Sequence, residues 1–190
     1  DIMQNLVDYR LDFLRFPGGC IVHGVNEETM YQWKETIGDI AQRPGAWSKW
    51  APYYRTDGLG YHEFYELCEY LNADAMYVTP TGMVCTEWVE QTGVRQFKHI
   101  HTDIDYYVQD ALDAIEYAIG PVDSKWGAER AKNGHPAPFP LRYVEIGNED
   151  FGTEYYPRYE KIATAIKSKY PQIKIIANSI IFREENDKQK

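Results

Sequence analysis

Cysteine is scarce in this 190-residue sequence: Cys20, Cys68 and Cys85 make an odd count with no CxxC spacing. That argues against a structural metal site or a disulfide framework. No apolar run approaches the roughly 20 residues needed to span a bilayer, so no membrane partner is expected. Positive charge is short as well, with 20 Lys and Arg against 29 Asp and Glu and a net charge of -9. This is the wrong sign for nucleic acid, whose phosphates call for basic patches. Neither GxGxxG nor GxxxxGKS/T follows any expected strand, so the folds that cradle phosphates lose support and no cofactor is expected. The opening Asp1-Ile2-Met3-Gln4 carries no secretory leader pattern. Either a secreted or a cytoplasmic setting stays open.

What is abundant is aromatic surface. The chain holds 16 Tyr, 7 Phe and 5 Trp, 15% of its residues, within an otherwise ordinary 44% hydrophobic and 26% charged composition. Sugar-binding proteins use such rings to stack on the C–H faces of pyranoses and furanoses. The competing reading is a core built from tyrosine.

Periodicity gives the architecture. Ile2, Met3, Leu6 and Val7 recur at helical spacing. Residues 11–16 read as a short buried strand stopped by Pro17-Gly18-Gly19. Helical stripes follow on Tyr61, Phe64, Tyr65, Cys68 and Leu71, then on Tyr107, Ala111, Ile115 and Ile119, then on Tyr155, Tyr159, Ile162, Ile166 and Tyr170. Strands are expected over residues 75–79, 141–147 and 173–177, with long loops over 20–60 and 81–105 and a polar stretch over 124–140. Such alternation predicts a parallel sheet with helical crossovers. The long, chemically rich segments follow strands, whereas two of the three helix-to-strand links are short, which favours a (β/α)8 barrel over an open sheet. Four strands make half of such a barrel. Residues 1–182 are expected to form the partial barrel domain and 183–190 a charged, solvated tail.

Two segments could do chemistry. Arg15-Phe16-Pro17-Gly18-Gly19-Cys20 carries a cation to a strand tip, and its glycines would let main-chain amides approach a ligand. The plainer reading is a tight turn with an arginine in an ion pair. Glu145-Ile146-Gly147-Asn148-Glu149-Asp150 puts an amide and a carboxyl at a strand's carboxyl end, where barrel enzymes keep their catalytic groups. A carboxylic acid donates a proton near neutral pH only where burial or a neighbouring anion raises its pKa. The alternative is a helix N-terminus dressed with acids. His99 and His101 alternate on an extended segment, but two histidines without a third ligand make a poor metal site, and none is expected. His135 is expected to pack or hydrogen-bond.

Five blocks in one order carry a resemblance: RFPGGC, TIG followed by RPG, DGLGYHEFYELCEYL, GHPAPFPLRYVEIGNE, and the YY…RY…AI…YP run. Together they resemble the family 51 α-L-arabinofuranosidases from residue 11 to about residue 179. The resemblance implies strands two to five of a (β/α)8 barrel and a retaining exo-glycosidase that releases terminal α-L-arabinofuranosyl groups from plant polysaccharides. It implies Glu149 as general acid/base and Asn148 as the residue that binds the sugar 2-hydroxyl. It further implies Gly19 and Cys20 against the arabinose, Trp50 as the aromatic wall of its pocket, and Arg15 near the nucleophile. The nucleophile itself would be a glutamate on the seventh strand, outside this chain. These 190 residues alone are therefore expected to be inactive until joined by the remainder of the same barrel, and a homo-oligomer is possible. The alternatives are another glycosidase of the same clan, an endoglucanase or β-xylosidase, and a non-catalytic carbohydrate-binding fragment.

Overall fold

The structure is a computed structural model that describes residues 2–26, 28–48, 53–88, 95–99, 103–150 and 153–178. Its frame is a four-stranded parallel sheet of β1 (Phe13–Phe16), β4 (Asp74–Thr79), β7 (Leu141–Ile146) and β8 (Lys174–Ile176), in that spatial order. Helices α2 (Tyr61–Leu71), α3 (Ile104–Ile119) and α5 (Tyr155–Lys169) supply the crossovers. Each expected strand and helix is present, with no boundary moved by more than three residues. The first helix, α1 (Ile2–Asp8), buries none of its residues, and Ile2 is 79% exposed.

The two faces of the sheet differ in what covers them. Phe16, Ala75, Tyr77, Val144 and Ile146 pack with Phe64, Tyr65, Ala111, Ile115, Ile162 and Ile166 into one apolar cluster, so this face carries the helices. Register places Arg15 beside Met76, and Val78 beside Glu145. Side chains alternate along a strand, so Arg15 and Glu145 share the opposite face. Tyrosine fills the core. Tyr31, Tyr61, Tyr65, Tyr77, Tyr107, Tyr117 and Tyr155 are each at most 2% exposed. Burial drives the hydroxyls of Tyr61, Tyr65 and Tyr77 well above the ordinary tyrosine value, and Tyr65 donates to Tyr61 at 2.7 Å. For these residues the aromatic excess is core rather than sugar platform.

The long connections hold more structure than their sequence suggests. The segment between Gly18 and Gly60 contains three single-turn helices and a hairpin of β2 (Ala46–Ser48) and β3 (Tyr53–Arg55). The expected loop over 81–105 is a second hairpin, β5 (Met83–Trp88) against β6 (Arg95–His99). The polar stretch before β7 contains α4 (Lys125–Lys132), capped by the Ser124 hydroxyl on the Gly127 amide at 3.2 Å. Only Gly127 and Arg130 are buried on that helix, so it has no apolar stripe to betray it.

Arg130 is fully buried, and among the described residues no carboxylate pairs with its fork. Its guanidinium donates to four carbonyls: Tyr117 at 2.7 Å, Gly120 at 2.8 Å, and His135 and Pro136 at 3.0 Å each. Two of these lie at the C-terminal end of α3, where the helix dipole favours a cation. His135 packs as expected, stacking on Phe139 with ring centroids 4.0 Å apart and reaching Glu69 at 2.8 Å. Arg130→Leu takes this donor from four carbonyls, those of Tyr117 and Gly120 in buried contacts, and should destabilise the full-length protein by about 3 kcal/mol. Denaturant unfolding measures this, and an unchanged midpoint would deny the arginine its role.

Candidate active site

The site is built where β1, β4 and β7 end. Arg15, third residue of β1, reaches across β4 to grip Glu145 of β7, Nε to Oε2 at 2.5 Å and Nη2 to Oε1 at 3.0 Å. The same Nη2 donates to Asn148 Oδ1 at 2.7 Å, and the Gly19 amide donates to that oxygen at 2.9 Å. Both acceptor directions of the Asn148 carbonyl are thus engaged. What the side chain can offer a ligand is its Nδ2 donors. Gly18 has a φ of +64°, and a Cβ there would stand 2.3 Å from the Arg15 guanidinium. Gly18 therefore lets the turn close over the arginine, and Gly19 continues the turn at the same φ of +64°. Arg15 is in an ion pair, but an inner-face one shared with the Asn148 amide rather than a surface one.

Past β7 the backbone kinks. Gly147 at φ +78° keeps one more ladder bond, its amide donating to Thr79 O at 2.8 Å. A Cβ on it would lie 2.2 Å from Asp150 Oδ2, so the close approach of that carboxylate needs glycine here. Glu149 also takes a positive φ, +55°, which is uncommon for a residue with a long side chain. Its amide donates to Asn178 Oδ1 at 2.9 Å, and Asn178 Nδ2 in turn donates to Ile146 O at 2.9 Å. Glu149 is half-buried, whereas Asn148 and Asp150 on either side are buried. The reading of this segment as an acid-dressed helix start does not hold, because α5 begins at Tyr155.

Three residues here escaped sequence reading: His23, Thr81 and Asp150 as a partner to both. His23 Nε2 lies 2.7 Å from Asp150 Oδ1, 2.9 Å from Asn148 O and 3.0 Å from Asn148 N. Thr81 Oγ1 donates to Asp150 Oδ2 at 2.6 Å. The histidine and the aspartate are both fully buried. Nε2 thus faces two acceptors, Asp150 Oδ1 and Asn148 O, and one donor, the Asn148 amide, so whether it donates or accepts follows the tautomer. Burial alone would lower the His23 pKa. The Asp150 charge and hydrogen bond, with the Asn148 peptide and the Cys20 thiol, overcome it and leave the value raised. The signal for His23 and Thr81 was only their position after strand ends.

Of the expected site residues, the structure brings together Arg15, Gly19, Asn148 and Glu149. Cys20 lies in the same turn as Gly19, partly exposed and outside any disulfide. Trp50 lies outside the described residues, as do His101 and residues 183–190, and of His99 only the backbone is described. Among the described residues no group of three or more His, Cys, Asp or Glu is placed to hold a metal ion, and no helix is long and apolar enough to cross a membrane. Glu145 and Asp150, the other acids of the segment, are committed to Arg15 and to His23 with Thr81.

A parallel sheet with helices on one face, whose amide and carboxyl groups gather at the strands' carboxyl ends, is the arrangement of one part of a (β/α)8 barrel. The chain belongs to the family 51 α-L-arabinofuranosidases: the family model described as "Alpha-L-arabinofuranosidase 1 domain" matches residues 5–190. It is 42% identical over 179 residues to α-L-arabinofuranosidase 2 of Arabidopsis thaliana, covering 94% of this chain and 25% of that protein. It is 34% identical over 193 residues to an extracellular exo-α-L-arabinofuranosidase of Streptomyces chartreusis, covering 94% and 22%. An arabinose-bound family 51 α-L-arabinofuranosidase superposes with a TM-score of 0.81 at 34% identity, covering 96% of this chain and 29% of that one. The arabinose complex of a Thermotoga maritima α-L-arabinofuranosidase, at 24% identity and a TM-score of 0.70, shares the fold. The chain thus spans about a quarter of the length of the curated relatives it matches.

The His23–Asp150 pair sets a pH dependence of stability. A histidine whose folded pKa is raised stabilises fully below its unfolded value of 6.5, and the contribution is lost as pH rises through the folded value. His23→Gln should cost the full-length protein about 3 kcal/mol just below pH 6.5, because it strips a buried carboxylate of its cation. The gap to wild type should narrow as pH rises. Unfolding curves across pH measure both, and a gap that widens with pH would contradict a protonated His23.

Proposed function

We propose that this chain supplies the acid/base side of a retaining α-L-arabinofuranosidase acting on arabinose-containing plant polysaccharides. The observation that carries the reading is the pairing at the end of β7. Glu149, a half-buried residue with a carboxyl, stands beside an amide whose carbonyl is tied down by Arg15 and Gly19. Residues 1–182 are read as part of the catalytic barrel.

In this reading Glu149 protonates the glycosidic oxygen as the bond to C1 breaks. A second carboxylate attacks C1 from the opposite side and forms the glycosyl-enzyme. Glu149 then takes a proton from the water that releases arabinose. The two carboxyl groups must stand about 5–5.5 Å apart. Neither Glu145 nor Asp150 is free for the second role, since each is held by cationic or donor groups. The nucleophile is assigned to the remainder of the barrel, on its seventh strand. Asn148, with its carbonyl engaged, presents Nδ2 to the sugar 2-hydroxyl, a contact that strengthens in the transition state. The turn with Gly19 and Cys20 is read as the edge of the furanose pocket and Trp50 as its aromatic wall.

Glu149→Gln in the full-length enzyme should lower kcat/KM on natural arabinosides by roughly 100- to 10,000-fold, and far less on aryl arabinosides with activated leaving groups. Azide should restore turnover by replacing the activated water. Equal losses on both substrates, with no azide effect, would remove Glu149 from the acid/base role. Asn148→Asp keeps an acceptor for Arg15 and Gly19 but removes the Nδ2 donors. It should lower kcat more than it raises KM, and a pure KM effect would make the contact ground-state binding only. Residues 1–190 expressed alone should show no turnover of an aryl α-L-arabinofuranoside, and measurable turnover by that fragment would overturn the assignment of the nucleophile.

A further inference from the structure

The proposed chemistry makes no use of His23, Asp150 or Thr81, yet they sit against the two residues that it needs most. We propose that the buried His23–Asp150–Thr81 array is the positioning device for Glu149, holding its left-handed backbone so that the carboxyl meets the glycosidic oxygen. The inference rests on the reading of Glu149 as acid/base.

A glutamate at φ +55° has no intrinsic preference for that conformation; glycine, asparagine and aspartate visit it routinely and longer side chains do not. Such a residue persists only where its surroundings over-determine it. Here one imidazole nitrogen spans it. His23 Nε2 is within 2.9 Å of the carbonyl of Asn148, the residue before Glu149, and within 2.7 Å of the carboxylate of Asp150, the residue after it. The ring therefore closes a short loop with Glu149 at its apex. Thr81 fixes the other Asp150 oxygen at 2.6 Å from the end of β4. Thr81 is itself fully buried, and its carbonyl accepts from Arg158 of α5 at 2.8 Å. The grip thus runs from the loop after β1, through the ends of β7 and β4, to a helix on the outer layer. Asn178, from beyond β8, holds the Glu149 amide on the remaining side.

None of the three side chains has solvent exposure, so each acts on substrate only through Glu149 and Asn148. General acid catalysis depends steeply on placement, and a displacement of about 1 Å costs on the order of 100-fold. A positioning role predicts an effect confined to steps that need the proton. A merely structural role predicts equal losses on all substrates.

The test uses the full-length enzyme with Thr81→Val, which keeps the side-chain shape and removes the hydroxyl, and Thr81→Ser, which keeps the hydroxyl. With an alkyl α-L-arabinofuranoside, whose leaving group needs protonation, kcat/KM should fall about tenfold or more in Thr81→Val. With a dinitrophenyl arabinofuranoside it should stay within about twofold, since little protonation is required. Thr81→Ser should recover most of the alkyl rate. His23→Gln should show the same leaving-group dependence; where it folds poorly, the threonine pair carries the test. Equal losses on both substrates in Thr81→Val, no loss on either, or a serine variant as impaired as the valine one would each overturn the proposal. A parallel Glu149→Gln arm separates the two readings. If it lacks leaving-group dependence and azide rescue, the acid/base assignment fails. If it shows both while Thr81→Val shows neither, only the positioning role falls.

Discussion

The arrangement at the strand ends depends on one oxygen. Asn148 Oδ1 accepts from the Arg15 guanidinium and from the Gly19 amide, and so ties β1 and its turn to the end of β7, across the intervening β4. Arg15 can serve that oxygen because Glu145 holds its other edge in a two-point clamp. The Gly19 amide can serve it because Gly18, at positive φ, brings the turn over the guanidinium without a Cβ in the way. Remove the amide carbonyl, and a charged fork and a main-chain donor lose their shared acceptor on a half-buried face. The residue is therefore fixed by internal demands before any sugar arrives. A side chain already immobile in the free protein loses little entropy on binding, which is the condition for pre-organised contacts.

Much of this was legible in the sequence. The 3.6-residue stripes of α2, α3 and α5 and the short apolar runs of the sheet strands gave the element order, and strand ends pointed to Asn148 and Glu149. What stayed hidden lacked a periodic signal. Helix α4 buries a glycine and an arginine rather than an apolar face, so no stripe marks it. The hairpin of β5 and β6 lies in a polar segment whose pairing shifts register between Cys85 and Trp88, and so offers no clean alternation. His23 and Asp150 are 127 residues apart in sequence, and only the fold brings them to 2.7 Å. Aromatic content misleads for the opposite reason: a tyrosine whose hydroxyl finds a partner, as Tyr61 does on Ala114 O, packs as well as phenylalanine.

Local rules are broken in one small region. A glutamate sits at positive φ, a histidine and an aspartate lie fully buried as a pair, and an arginine–glutamate clamp spans three strands. Each departure alone would weaken a fold. A buried ion pair is often less stabilising than apolar side chains of the same volume, because desolvation offsets most of the attraction. A valine or leucine filling the space of His23 would pack without that cost. It would also have no way to hold the Asn148 carbonyl and the Asp150 carboxylate at once. What the polar pair supplies is direction, since a hydrogen bond has an axis and a dispersion contact does not.

That difference explains the contrast between the two faces of the sheet. On the helix side, Tyr77, Val144 and Ile146 contribute contacts that any well-packed core would make, and several residue types would satisfy their positions. On the other face and at the strand ends, Arg15, Glu145, Asn148 and Asp150 meet specific atoms at specific distances, so substitutions of similar size do not substitute for them. Glu149 stands between the two regimes. Its backbone is held from both neighbours and by Asn178, while the residue as a whole is half-buried. Under the proposed role, a group that exchanges protons with a substrate and then with water needs a fixed origin and a tip that both can reach. The proposed acid/base role would make the strain at Glu149 and the burial of charge around it consequences of a single requirement, which is to aim one carboxyl.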